Sequence, residues 1–156
     1  MKRRSVLLFI GSGLAYMTTG NVNALASGYD ATVQEMVENA VSLIEKKGLK
    51  DAITHSPSGT WVKSDSGLYI FVMGTTGTLY LHPQEQVIGA NIRRTRDVDG
   101  SPFIEHILQA LVRSGDSIWS EYYWADPVDG RVRRKRVYSE KTGELIVNCG
   151  YYMDQA

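Results

Sequence analysis

A long amphipathic segment opens the folded part of the chain. Its apolar side chains recur every three or four residues: Val33, Met36, Val37, Ala40, Leu43 and Ile44. This spacing puts them on one stripe of a helix, and Ser27 is a residue type that caps helix starts. Lys46 and Lys47 suit a helix end, and Gly48 suits the position just beyond it. The pattern predicts a long helix from Ser27, with one further turn up to Ile53.

Two β-rich runs follow. Residues 68–73 and 78–82 are rich in aliphatic and aromatic side chains, and the four residues between them include Gly74 and Gly77. Such runs around a short glycine-containing turn are typical of a β-hairpin. The first run is apolar at every position, which indicates a strand that is covered on both faces and therefore central in its sheet.

A second, shorter helix is predicted over residues 103–112. Ser101 and Pro102 precede it as a cap and a proline suited to the first helical turn, and apolar residues then return in adjacent pairs every four residues. Ser114 and Gly115 end the segment.

Three more strands are predicted, over residues 118–124, 131–139 and 144–152, with turn sequences between them. Connections this short make neighbouring strands antiparallel. The order of elements predicts an α+β fold with a five-stranded antiparallel sheet, a long N-terminal helix and a second short helix.

The N-terminus has the organisation of an export signal. Basic residues 2–4 precede an apolar run over residues 6–17, and residues 24–26 read Ala-Leu-Ala, the small-x-small pattern of a cleavage site. We therefore predict a signal peptide over residues 1–26, a single domain over residues 27–156, and a periplasmic or secreted location.

The alternative for this N-terminal segment is a membrane anchor. A spanning helix needs roughly 20 apolar residues, and the run here extends to about a dozen. We therefore expect no stable membrane insertion once the signal is cleaved, although the sequence leaves open whether it is cleaved or kept.

Charge and cysteine content narrow the class of protein further. The chain has 17 Lys+Arg and 17 Asp+Glu, so losing the basic leader leaves an acidic domain and argues against a nucleic-acid partner. The basic run over residues 131–136 lies in a predicted strand, which divides its charges between two faces. Cys149 is the sole cysteine and lies in an apolar stretch, so we expect a buried thiol.

Short motifs spread along the predicted domain resemble the single Cache domain, an extracytoplasmic sensor module with a PAS-like sheet. They are Leu68–Val72, Gly77, Leu81–Pro83, Gly89–Asn91, Asp97–Gly100, Phe103, Tyr122–Pro127, Lys135 with Tyr138, and Cys149–Tyr152. The resemblance implies a pocket on the sheet for a small ligand, commonly a short carboxylate or an amino acid, with no chemistry performed on it. Cache sensors usually work within membrane receptors, so for a stand-alone domain we hypothesise a membrane-bound sensor protein as the partner.

Tyr122, Trp124 and Lys135 are the main ligand-binding candidates, and Tyr138 is a secondary one. Period-two alternation puts Tyr122 and Trp124 on one strand face, where they either line a pocket or simply fill the core. The resemblance implies that Lys135 binds a carboxylate, with the Tyr138 hydroxyl as a second donor. Strict alternation puts Lys135 and Tyr138 on opposite faces, so a bulge or a strand end is needed to bring both to one ligand.

Tyr69 and His82 are secondary ligand-binding candidates. The three histidines do not fall in paired metal-ligand spacing, and we predict neither a metal nor another cofactor. Known catalytic motifs are missing, so we predict that the protein is not an enzyme. Two alternatives stay open: a small exported enzyme using Glu121 or His82 as base in the same pocket, and an envelope interaction protein with no ligand.

Overall fold

The computed structural model describes residues 20–57 and 59–153, so most of the predicted signal peptide lies outside the described residues. Helix α1 spans Gly20–Lys47 and thus begins before the predicted start at Ser27. Gly48 adopts a positive φ of 76°, and α2 follows over Leu49–Thr54. Helix α3 spans Phe103–Ser114.

Six strands are present in the described part of the chain: β1 Val62–Lys63, β2 Leu68–Gly74, β3 Leu79–Leu81, β4 Ser117–Ala125, β5 Val132–Thr142 and β6 Leu145–Tyr152. The sheet order is β1-β2-β6-β5-β4, every pairing is antiparallel, and β3 also pairs with β2. The predicted α+β architecture is confirmed. The strand beyond the predicted five is β1, whose two residues are too few to produce a periodic pattern.

Strand β2 is central, as its uniformly apolar sequence predicted. All seven of its residues are buried, and β6 lies along one of its edges. Ile70 and Val72 pack into the core under α1, while Tyr69 and Phe71 pack into the core under α3. The sheet is therefore covered by α1 on one face and by α3 on the other.

Cys149 is buried in the core on the α1 side, as predicted. Burial raises the pKa of its thiol to about 11, so the thiolate is scarce at neutral pH.

Gly150 is a point of close backbone approach. A Cβ at this position would lie 2.6 Å from Cγ2 of Val137 and well inside contact distance of the Arg136 carbonyl oxygen. Only glycine therefore allows β5 and β6 to pair here in the observed register.

Candidate ligand-binding site

A small cavity lies on the α3 face of the sheet. Its volume is about 20 Å³, room for roughly one water molecule. The lining residues come from four strands, the first turn of α3 and the loops between them: Tyr69, Phe71, Leu79, His82, Ile92, Phe103, Ile104, Tyr122, Trp124 and Lys135. The walls are mainly aromatic, and the polar atoms among them are hydroxyl, imidazole, indole and ammonium groups.

Lys135 supplies the positive charge of this cavity. It sits in the middle of β5, paired with Tyr122 of β4 and with Tyr152 of β6, and its exposed fraction is 1%. The ammonium donates a hydrogen bond to the Tyr69 hydroxyl over 2.7 Å and lies 3.9 Å from the centroid of the Tyr69 ring. The rings of Phe71 and Tyr152 are 5.2 and 5.3 Å away. A cation this close to several rings is stabilised by their negative faces.

Burial makes the Lys135 charge costly. Desolvation lowers the pKa of its ammonium to about 7, although Cys149 and Asp126 act in the opposite direction. The Asp126 carboxylate is itself buried and accepts a hydrogen bond from Arg133 over 2.8 Å. The charge of Lys135 is therefore held mainly by a neutral hydroxyl and by aromatic rings.

Two aromatic residues of β4 and the first residue of α3 pack against one another beside the cavity. The rings of Phe103 and Tyr122 stack with centroids 4.1 Å apart, and Trp124 meets Phe103 edge-on at 5.6 Å. Helix α3 holds Phe103 there because its apolar stripe, which includes Ile104 and Ile107, packs onto this face of the sheet. Burial also raises the pKa of the Tyr122 hydroxyl, which stays protonated.

His82 contributes a neutral donor. Its Nδ1 accepts a hydrogen bond from the Gln84 backbone N–H over 3.1 Å, so in the neutral ring the proton sits on Nε2. Burial, with a further contribution from Lys135, lowers the pKa of the imidazole to about 4. The ring meets Tyr69 edge-on with centroids 5.5 Å apart, which fixes its orientation beside the cavity.

The structure brings five of the six predicted site residues together around the cavity: Tyr69, His82, Tyr122, Trp124 and Lys135. Tyr138 is the exception, because it packs under α1 on the opposite face, 5.1 Å from Trp119. Strand β5 pairs with both neighbours in unbroken register, so the bulge needed to turn Tyr138 toward Lys135 does not form. The expectation that Lys135 and Tyr138 meet at one position is therefore wrong.

Phe71 and Tyr152 lie close to Lys135 but were not predicted as site residues. Phe71 follows from alternation, since it lies two positions after Tyr69 on the same face of β2. Tyr152 borders the ammonium because β6 pairs with β5, and its hydroxyl donates to the Ala125 carbonyl oxygen over 2.9 Å. The pairing of β5 with β6 brings Tyr152 to Lys135 from a different segment of the chain, so no local sequence pattern predicts this contact.

The opposite face of β5 attaches helix α1 to the sheet. Arg136 donates to both carboxylate oxygens of Asp30 at 3.1 and 3.3 Å, and to Glu121 at 2.9 Å. The Tyr151 hydroxyl donates to Asp30 as well, over 3.1 Å. Glu121 also accepts from Arg134, so the carboxylate considered above as a catalytic base lies in an ion-pair network on the α1 face.

Neither a metal-binding cluster nor a membrane-spanning helix occurs among the described residues. No group of three or more His, Cys, Asp or Glu side chains in the part of the chain described is placed to hold a metal ion. Within the same residues, no helix is long and apolar enough to cross a membrane.

Comparison with known families identifies the class of protein. Residues 14–156 match the model of the family described as Single Cache domain 2, and the chain belongs to that family of extracytoplasmic sensor domains. The resemblance noted in the sequence is thereby confirmed. No curated protein matches the chain.

Solved structures of sensory domains share this fold. The periplasmic sensor domain of a chemotaxis protein has a TM-score of 0.67 at 22% identity, covering 83% of this chain and 98% of that one. A methyl-accepting chemotaxis protein from Vibrio parahaemolyticus RIMD 2210633 has a TM-score of 0.65 at 18% identity, covering 85% and 94%. A Cache chemosensory domain studied for carboxylic acid recognition has a TM-score of 0.65 at 18% identity, covering 85% and 98%.

Proposed function

We propose that this protein is an exported sensor domain that binds a short organic acid in the Lys135 cavity and releases it unchanged. The observation that carries the proposal is a fully buried ammonium whose hydrogen-bond partner is a neutral hydroxyl. A ligand carboxylate would supply the missing negative charge and form a charge-assisted hydrogen bond, worth about 1.5–3 kcal/mol net.

The other polar groups of the cavity favour the same ligand class. His82 offers an Nε2–H donor, Tyr69 and Tyr122 offer hydroxyls, and none of the described lining residues carries a carboxylate. An anion is thus attracted, while an amine would meet Lys135 without a compensating charge. The aromatic walls suit a short carbon skeleton.

The small volume of the cavity limits ligand size. A volume of about 20 Å³ holds roughly one water molecule. A two- to four-carbon acid therefore enters only if the side chains of Phe103 and Trp124 move outward. The Cache chemosensory domain studied for carboxylic acid recognition supports the same class of ligand here.

The proposal extends to location and partner. A signal peptide over residues 1–26 would deliver a domain of residues 27–156 to the periplasm or the medium, where a membrane-bound sensor protein would detect its ligand state. Pull-down from envelope extract, with and without ligand, tests the partner. Recovery of no membrane sensor in either condition would contradict this part of the proposal.

Thermal unfolding with a ligand panel tests the binding. We expect acetate, propionate or a related acid at about a hundred times its Kd to stabilise the protein by about 2.7 kcal/mol, or roughly 5 to 10 °C. Alkylamines of matched chain length should give no shift. Turnover of the bound acid would favour the enzyme alternative, and no shift with any acid would favour an interaction protein without a ligand.

A further inference from the structure

The charge balance around Lys135 decides which form of the acid the cavity can hold. On its own face of the sheet the ammonium is bordered by Tyr69 and Phe71 of β2, Tyr122 and Trp124 of β4, Tyr152 of β6, and His82 after β3. The titratable groups among these are protonated hydroxyls and a neutral imidazole. None carries negative charge at neutral pH.

The charged groups farther out are Asp126, Asp129 and Arg133, which form one ion-pair cluster. Asp126 is bonded to Arg133, which lies two residues before Lys135 on the same face of β5, and Arg133 also pairs with Asp129 at 2.5 Å. Cys149 lies on the α1 side of the sheet, and burial keeps its thiol protonated. Helix α3 contributes only the apolar Phe103 and Ile104 to the cavity lining. Among the described residues, the lining of the cavity therefore holds no negative charge beside a lysine that is 1% exposed, and Asp126, which raises the pKa of Lys135, lies outside that lining.

A buried amine without a counter-charge is stable in its neutral form, and a carboxylate without a counter-charge is not stable in such a cavity at all. Each becomes favourable when the other is present in charged form. The bound complex therefore has to hold both charges, which makes the net charge of the pair inside the cavity zero.

We propose that the site binds the acid as a net-neutral ammonium–carboxylate pair, so that wherever the Lys135 amine is neutral beforehand it takes up a proton as the carboxylate enters. The inference rests on the proposed function and adds the protonation state of the complex to it. The step is an association without covalent change: a neutral amine, a proton from the solvent and a carboxylate give an ammonium–carboxylate pair. The domain would thus respond to the product of acid anion and proton concentrations.

The lowered pKa of Lys135, about 7 in the free protein, agrees with this picture and gives its pH range. Above that value the apparent Kd should rise about tenfold per pH unit, because the amine must first be protonated. Between about pH 5 and 7 the affinity should be nearly constant, since the amine is already charged and the free acid, with a pKa near that of a Glu side chain, is already ionised.

Calorimetric titration of the full-length protein with sodium propionate tests the proposal. Titrations in buffers of different ionisation enthalpy at one pH give the number of protons taken up per ligand. We expect about 0.9 at pH 8 and about 0.1 at pH 6. Lys135→Arg keeps the charge at every accessible pH, so in this variant the uptake at pH 8 should fall close to zero. His82→Gln removes a donor of the cavity and should bind propionate more weakly, but the number of protons taken up per bound propionate should equal that of the parent protein.

The outcomes separate this inference from the proposed function. Binding of propionate with no proton uptake at pH 8 overturns the inference and leaves the acid-binding function standing. Uptake that is lost in His82→Gln but kept in Lys135→Arg overturns it by assigning the proton to His82. If propionate does not bind, an NMR titration of the Lys135 side chain in the free protein tests the inference. A midpoint near 7 supports a Lys135 amine that is largely neutral above pH 7, and a midpoint above about 9.5 contradicts it.

Discussion

Lys135 and Arg136 are consecutive on β5 and project to opposite faces of the sheet, so one backbone step joins the Lys135 cavity to the attachment of helix α1. Lys135 donates to Tyr69 on the α3 side, and Arg136 binds Asp30 of α1 on the other side. Their cross-strand neighbours repeat the division, because Lys135 pairs with Tyr152 at the cavity and Arg136 pairs with Tyr151, which also bonds Asp30. Strands β5 and β6 therefore carry both the contacts of Lys135 and the contacts that attach α1 to the sheet.

Replacing the buried charge should separate stability from function. Lys135→Met removes the desolvation cost and fills the same space, so we expect the free protein to become more stable by about 1–4 kcal/mol. The same variant should lose the thermal shift that carboxylates produce. Urea unfolding and thermal shift measure the two effects.

Lys141→Met is the matched control, since Lys141 lies on the same strand and is exposed. This control should change stability by less than about 0.5 kcal/mol and keep the ligand response. A Lys135→Met protein that is less stable than the parent would contradict the account of Lys135 as an uncompensated charge.

The pH dependence of stability should carry the signature of Lys135. Its pKa is about 7 when folded and near 10.5 when unfolded, so between these values the unfolded state binds more protons than the folded state. The stability penalty that Lys135 imposes is therefore largest near pH 7 and below, and it shrinks as pH rises through this window. Urea unfolding from pH 7 to pH 9 should show the stability advantage of Lys135→Met shrinking by about 1–2 kcal/mol. A constant difference between the two proteins would show that the amine is charged throughout.

Two tyrosines of similar predicted role should behave differently. Tyr69→Phe removes the hydroxyl that bonds Lys135 inside the cavity, and we expect carboxylate affinity to change by about tenfold, the effect of one hydrogen bond to a charged group. Tyr138→Phe alters the α1 face and should leave the affinity unchanged within twofold. Calorimetry on both variants measures this. Equal effects would contradict the separation of the two faces.

Arg136 should matter for holding α1 and not for binding the ligand. Arg136→Gln leaves Asp30 and Glu121 without their shared partner, and because all three side chains are partly exposed we expect a loss of about 1–2 kcal/mol. Carboxylate affinity should be preserved. Arg136→Lys retains the charge but loses the two-pronged geometry, so its stability should fall between the other two proteins. Hydrogen exchange in α1 should rise in Arg136→Gln, and unchanged exchange there would contradict the proposed attachment.

Gly150 should tolerate no side chain. Gly150→Ala forces a methyl group into Val137 and the Arg136 carbonyl, and overpacking of this kind costs about 1–3 kcal/mol. Gly28→Ala is the control, because it lies within α1 with nothing within 4 Å of the added methyl group and should be neutral or slightly stabilising. Comparable stability of the two variants in urea would contradict the close approach of β5 and β6.

Periodicity alone predicted the elements that position the site. The unbroken apolar run of β2 revealed a strand covered on both faces, and alternation along β4 placed Tyr122 and Trp124 together. Alternation along β5 also predicted that Lys135 and Tyr138 lie on opposite faces, and this prediction is confirmed. The expectation that both residues contact one ligand is wrong for the same reason.

Long-range pairing supplied what periodicity does not encode. Asp30 and Arg136 are 106 positions apart in sequence, and no local pattern links them. The contact of Tyr152 with Lys135 likewise follows from the register of β6 on β5. Strand β1 is defined by its pairing with β2. Its two residues are too few to show the alternation by which a strand is recognised in a sequence.

A crystal structure of the protein with the carboxylate that gives the largest thermal shift tests the central claim most directly. We predict the carboxylate within about 3 Å of the Lys135 Nζ, with His82 Nε2 facing it and with Phe103 and Trp124 displaced outward from their present contact. A closed cavity in the presence of saturating acid, or an acid bound away from Lys135, would contradict the account.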